Sequence, residues 1–67
     1  MTKIVRDLNI GDKVVIAGDD LHPLERHAVL RRKDRPSFGA VALGFDLPGG
    51  ESCLIVASET WEFTIDG

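Results

Sequence analysis

The sequence predicts an all-β fold, a small antiparallel barrel of five to six strands formed by a single domain over residues 1–67. Residues 60–65 give the clearest signal, because Trp61, Phe63 and Ile65 alternate with polar residues and therefore share one face of a strand. Several other short apolar runs are separated by turns rich in Gly, Pro and Asp. A chain of 67 residues can enclose only one core, so we expect these strands to bend around it.

Two strands are predicted in the first part of the chain. Residues 2–6 form a short segment with β preference, and residues 13–17 form a β-branched run that is typical of a strand. Residues 21–35 are ambiguous. Pro23 suits the first position of a helix, whereas Ala28 and Leu30 would share one side of a strand over residues 26–33. The sequence favours the strand and leaves a helical turn within residues 21–35 open.

A hairpin is predicted over residues 38–57, with its turn at residues 47–50. Pro48 presets φ at the first central position of a type II turn, and Gly49 tolerates the positive φ that the second position requires. The next strand, over residues 60–65, completes the predicted barrel. Its bulky inward residues are expected to be Val14, Ile16, Leu30, Val41, Leu43, Phe45, Leu54, Val56, Trp61 and Phe63.

The segment Ile10-Gly11-Asp12-Lys13-Val14 resembles the opening of small SH3-like barrels, including short proteins common in actinobacteria and their phages. In such domains an apolar residue, Gly-Asp, a basic residue and Val lead into the first barrel strand. The resemblance implies an SH3-like fold and a binding role, because barrels of this kind bind peptides, RNA, DNA or other proteins. The chain has no Tyr and no cluster of surface aromatic residues, so it departs from barrels that read proline-rich peptides or methyl-lysine.

The charge is distributed unevenly along the chain. The net charge is −3, yet residues 21–36 carry +3 and residues 37–67 carry −5. No apolar run approaches the ~20 residues that span a bilayer, and residues 1–6 lack the apolar segment of a secretory signal. We therefore expect a cytoplasmic protein with no membrane partner.

Catalytic chemistry is not favoured by the sequence. Cys53 is the single cysteine, which excludes an internal disulfide and a zinc site of the usual multi-thiolate type. Cys53 and His27 could form a thiolate–imidazolium pair, but a thiol in an apolar strand is normally an inert small hydrophobe. No Gly-rich loop suited to phosphate precedes a helix. We expect no enzymatic activity and no cofactor.

A metal site is the weakest of the binding hypotheses. Carboxylates and imidazoles lie close together in one stretch of nine residues, and three converging ligands could hold a divalent ion. Solvated loop side chains are the simpler interpretation, so no metal is expected. The residues are Asp19, Asp20, His22, Glu25 and His27.

Two groups of residues are predicted to bind a partner. The basic residues could contact phosphates or an acidic protein, and a strip of small residues would allow another backbone to approach closely. The favoured hypothesis is a non-enzymatic protein-interaction or self-associating domain. The alternative is a nucleic-acid-binding barrel that uses the basic segment 26–35, although the negative net charge disfavours it. The candidate binding residues are Arg26, Arg31, Arg32, Lys33, Arg35, Ala40, Ala42 and Gly44.

Overall fold

Six antiparallel strands form the molecule in a computed structural model that describes residues 1–18, 20–21 and 23–66. The all-β prediction is confirmed, and residues 26–33 form a strand as favoured. In the described part of residues 21–35 no helical turn occurs. Short 3-10 turns occupy Val5–Asp7 and Pro48–Gly50. The strands are β1 (Thr2–Ile4), β2 (Lys13–Ile16), β3 (Arg26–Lys33), β4 (Ala40–Asp46), β5 (Ser52–Ser58) and β6 (Glu62–Ile65).

The strands belong to one sheet in the order β1-β6-β2-β3-β4-β5. This order joins the ends of the chain, because β6 pairs with both β1 and β2. The bent sheet fits a small β-barrel, but among the described residues its ladder is not closed, since β1 and β5 each have one neighbouring strand. At the predicted hairpin turn Gly49 has φ 85° and ψ 10°, the values expected for the third residue of a type II turn.

Strand β4 supplies the centre of the core. Its alternation buries Val41, Leu43 and Phe45, as the sequence predicts. The ring of Phe45 packs against Phe63 of β6, with ring centroids 5.7 Å apart and planes tilted by 49°. One hydrophobic cluster therefore links the two halves of the sheet. Its buried members are Val5, Leu8, Val14, Ala28, Leu30, Val41, Leu43, Phe45, Leu47 and Phe63.

The prediction that Leu54 and Val56 point inward is wrong, because their side chains are 68% and 66% exposed. Paired residues on neighbouring strands share a face of the sheet, and Leu43 pairs with Ile55. The register therefore turns Ile55 and its alternate neighbours toward the core and the other residues of β5 outward. Residues 53–57 are all apolar, so no polar alternation in the sequence indicates which face is buried.

The predicted burial of Trp61 is also wrong, since its side chain is 61% exposed. Trp61 precedes β6 and closes a turn, in which its N–H donates to the carbonyl of Ser58 at 3.0 Å. Its own carbonyl accepts the N–H of Val5 at 2.9 Å. The backbone of Trp61 thus anchors the 3-10 turn. Val5 and Leu8, which lie in and next to this turn, are buried core residues that the sequence did not predict.

The exposure of the indole leads to a direct test, because Trp61 is the only tryptophan. We expect acrylamide to quench its fluorescence readily, as it does for an indole that is largely open to solvent. Trp61→Phe should change the free energy of unfolding by less than about 1 kcal/mol. Phe63→Ala should lower it by about 3–5 kcal/mol, because it leaves a cavity beside Phe45. Urea denaturation measures both, and a quencher-protected indole would contradict the arrangement.

Asp12 organises the connection that leads into β2. Its carboxylate accepts the N–H of Asn9 at 2.9 Å and the Nζ of Lys3 at 3.3 Å. The backbone on either side is tied to β3, since the N–H of Leu30 donates to the carbonyl of Asp12 at 2.9 Å. The hydrogen bond from Asn9, supported by Lys3, lowers the pKa of Asp12 below its ordinary value of 3.8.

Replacing the carboxylate of Asp12 by a neutral side chain should make the stability of the fold less sensitive to acid. The folded state lowers the pKa of Asp12, so its contribution to stability is present above pH 3.8 and is lost as the pH falls through the lower folded value. Asp12→Asn should cost about 1 kcal/mol at neutral pH, and the difference from wild type should narrow below pH 3.8. Thermal melts across pH measure this. Asp20→Asn is the control for the change of charge, and an unchanged difference at low pH would contradict the role of the Asp12 carboxylate.

Candidate functional site

A bulge in β3 places two of the predicted basic residues side by side on the surface. Leu30 pairs with Phe45 and Arg32 pairs with Gly44, so Arg31 is an additional residue in the ladder. A bulge of this kind leaves one residue unpaired and breaks the alternation of faces. Arg31 and Arg32 are therefore both exposed, although they are neighbours in sequence.

Both arginines already have acidic partners. Arg31 Nε donates to Asp46, and Arg32 Nε donates to Asp34 at 2.8 Å. The hydrogen bond and charge of Asp34 raise the pKa of Arg32. These pairs are exposed, so they contribute little to stability. Their main effect is to reduce the positive field that a phosphate group would meet.

The other three basic residues do not extend this pair into one patch. Lys33 Nζ donates to the carbonyls of Arg6 and Leu8, at 2.9 Å each, and so stabilises the backbone around the first 3-10 turn. In Arg26 the buried Nε has no hydrogen-bond partner among the described residues. Arg35 lies exposed in the connection between β3 and β4. Binding of nucleic acid stays a prediction, and the two ion pairs make it less favourable.

The strip of small residues lies on the outer face of β4, as expected. All three members are half-buried rather than open, because larger residues of the neighbouring strands stand beside them. A Cβ added to Gly44 would lie 3.2 Å from the Cβ of Arg32, so the close approach of β3 explains the glycine. The residues of the strip pair with residues of β5: Ala40 with Ser58, Ala42 with Val56 and Gly44 with Leu54.

Leu54 and Val56 are the prominent side chains of this outer face. A shallow depression of about 320 Å³ is lined by Leu54, Gly44, Arg31 and Arg32, among others. The depression brings together the two groups that the sequence nominated separately. Leu54 and Val56 were missed as site residues because they were assigned to the core, and only the pairing register reveals their exposure.

The other side of β5 borders a larger groove of about 530 Å³. The groove separates β5 from β2 and β6, and it lies where the ladder is not closed. Its walls are mainly apolar, so an apolar side chain could enter it without leaving polar groups unpaired. The apolar lining includes Val15, Ile16, Ile55, Ala57, Trp61 and Phe63.

Phe38 is a further candidate that the sequence did not indicate. The N–H groups of Ser37 and Ala40 each donate to the other residue's carbonyl, at 2.8 and 3.0 Å. Between them Phe38 and Gly39 have φ of 52° and 76°, the arrangement of a type I′ turn. Phe38 is fully exposed at 107% and is the only described non-glycine residue with positive φ. An exposed aromatic held in a disfavoured conformation is typical of a functional position.

Phe38→Asn should relieve this strain, because Asn tolerates the left-handed region better than an aromatic residue. We expect the free energy of unfolding to rise by up to about 1 kcal/mol. Chemical denaturation measures it, and Phe45→Asn, which would bury a polar group, should strongly destabilise the fold in the same assay. A loss of stability in Phe38→Asn would show that the ring makes a favourable contact.

The structure does not bring together the residues considered for catalysis. His27 lies on β3 and contacts Asp66 through Nδ1, whereas Cys53 lies on β5 opposite Phe45. Strand β4 lies between β3 and β5, which sets those two strands about 10 Å apart. Leu30, rather than His27, is the residue of β3 that pairs with Phe45, so His27 and Cys53 are farther apart than this spacing.

Two members of the proposed metal cluster, Asp19 and His22, lie outside the described residues. Over residues 1–18, 20–21 and 23–66 no group of three His, Cys, Asp or Glu side chains could hold a metal ion. In the same residues no helix has the length and apolar character needed to cross a bilayer.

Comparison with models of protein families, with curated proteins and with solved structures found no match to this chain. The resemblance to SH3-like barrels therefore stays a prediction. The fold and the site define a small all-β domain with an exposed apolar strand at one end of its sheet.

Proposed function

We propose that this protein is a non-enzymatic binding domain that recognises another polypeptide through the outer face of β4 and β5. The observation that carries the proposal is the exposure of two large apolar side chains, Leu54 and Val56, on one face of the terminal strand. In a monomer they leave apolar surface in water beside Ala42 and Gly44, and contiguous exposed apolar surface is typical of interaction sites.

Charge and aromatic residues around this face support the proposal. Arg31 and Arg32 border the depression next to Leu54, and arginine at the rim of an apolar centre is common in protein interfaces. Carboxylates of a partner could replace Asp46 and Asp34 as their acceptors. At the opposite end of the hairpin, Phe38 offers an exposed aromatic ring of the kind that dominates binding energy.

The nucleic-acid alternative and the cytoplasmic location remain proposals of lower rank. An interface with phosphates would need free cations, and the paired arginines would first have to release their carboxylates. A domain that binds nucleic acid should show affinity that falls steeply with salt, and Arg31→Glu together with Arg32→Glu should abolish it.

The test compares the polypeptides retained by immobilised wild-type protein with those retained by a variant carrying Leu54→Ser and Val56→Ser. We expect retention of specific partners to fall at least tenfold, because two apolar anchors are lost. Leu24→Ser is the matched control, since Leu24 is exposed outside the sheet and should be neutral.

Thermal melts must show that both variants are folded. Equal retention by the double variant and by wild type would overturn the proposed face. Salt-sensitive capture of nucleic acid without any protein would support the alternative instead.

A further inference from the structure

We infer that two copies of this chain associate through the free edge of β5, in an antiparallel pairing with its two-fold axis at Ile55. The inference rests on the proposed function in assigning β5 to binding, but it uses the backbone edge rather than the outer face. Strand β5 has β4 as its single neighbour in the described sheet, so one row of its backbone groups has no strand partner.

The hydrogen bonds at the two ends of the hairpin show which backbone groups of β5 point outward. The N–H of Leu47 donates to Glu51 at 2.8 Å, and the N–H of Glu59 donates to Gly39 at 3.1 Å. In an antiparallel ladder the residues bonded to the partner alternate with residues that are not. The odd-numbered positions of β5 are therefore bonded to β4.

The even-numbered positions of β5 direct their N–H and C=O groups away from β4, and at Ser58 the carbonyl already accepts the N–H of Trp61. Leu54 and Val56 are the central two of these positions. In a pairing centred on Ile55, Leu54 lies opposite Val56 of the second copy. The outward N–H and C=O groups of Leu54 in one copy therefore face those of Val56 in the other. Each such pair of residues can exchange two backbone hydrogen bonds.

The sequence of β5 is close to a chemical palindrome about Ile55. The run Ser-Cys-Leu-Ile-Val-Ala-Ser over residues 52–58 pairs serine with serine, a small residue with a small residue and a branched apolar residue with another. A two-fold interface requires this self-complementarity, because each position meets its mirror position on the partner. A foreign strand would need no such symmetry, so the palindrome favours a second copy.

The edge of β5 also lacks the features that usually prevent strands from pairing. Its seven residues contain no charge and no proline. The other end strand, β1, is protected by having only three residues, among them Lys3. The free edges are therefore unequal, and the long uncharged one is adjacent to the apolar groove.

Pairing at this edge would also cover surface, of which this chain exposes more than a monomer of its mass usually does. The solvent-accessible surface is 4745 Å², whereas roughly 4,200 Å² is expected for a monomer of this mass. Ile55 lies on the groove side, so Ile55 of the second copy would approach the mouth of the groove. Leu54 and Val56 would form a continuous apolar strip across both copies on the outer face.

One contact opposes the pairing and thereby provides a test of its register. In this register Glu51 faces Glu59 of the second copy just beyond the strand ends. Arg6 lies 4.0 Å from Glu59 and offsets the repulsion only in part. Glu51→Lys would replace a like-charge pair by an opposite-charge pair at two symmetric positions.

The first experiment measures self-association of the full chain by sedimentation equilibrium. We expect Glu51→Lys to lower the dimer dissociation constant about tenfold relative to wild type. Glu25→Lys makes the same change of charge at an exposed position before β3 and should leave the constant unchanged. Val56→Pro removes an outward N–H without removing a bond to β4, so it should be folded and monomeric.

The second experiment uses a disulfide to read the register. Cys53 would lie opposite Ala57 of the second copy at a non-hydrogen-bonded position, which brings Cα atoms within disulfide range. Under mild oxidation, Ala57→Cys should give a covalent dimer linked through Cys53. Positions 53 and 57 of one chain are about 13 Å apart in a strand, so they cannot link internally. Ser58→Cys is the control and should link far more slowly.

The outcomes separate this inference from the proposed function. A chain that is monomeric in both wild type and Glu51→Lys at the highest soluble concentration overturns the dimer. If the same chain still binds another protein through Leu54 and Val56, the proposed function stands. A wild-type dimer linked directly through Cys53, or equal cross-linking of Ser58→Cys, overturns the pairing centred on Ile55.

Discussion

The contact between Phe45 and Phe63, with ring centroids 5.7 Å apart, joins the two halves of the sheet across a single core. Phe45 belongs to β4, near one end of the strand order, and Phe63 belongs to β6, near the other. A sheet with this strand order would have no interior if it were flat. The burial of both rings therefore requires the strong bend, and the bend brings the groove side of β5 toward β2 and β6.

The functional proposals depend on the position of β5 at one end of the sheet. In the part of the chain that the structure describes, six short strands enclose ten buried hydrophobic residues, and no strand lies beyond β5. Strand β5, at the end of the sheet, consequently keeps exposed apolar side chains on one face and unpaired backbone groups along one edge. Proteins often cover such edges with a helix or a loop, because a free strand edge is a template for pairing with another chain.

Charged side chains lie next to the exposed apolar face of β5. The bulge at Arg31 brings two guanidinium groups to the outer face, yet Asp46 and Asp34 balance them. The two arginines at the bulge are therefore balanced by carboxylates, although they belong to a segment that is basic in the sequence. An apolar partner could contact this face without disturbing either ion pair, whereas a phosphate would compete with Asp46 and Asp34 for the two guanidinium groups.

The sequence predicts the fold class, five to six strands and the hairpin turn, because alternation, β-branched runs and the Pro-Gly pair are local signals. It also determined the inward face of β4, where bulky and small residues alternate. The face that β5 buries and the position of Trp61 depend instead on how the strands pack together. Residues 53–57 are uniformly apolar, so their orientation depends on the register with β4. The indole of Trp61 stays outside the core because Val5 and Leu8, brought in by the first 3-10 turn, complete it.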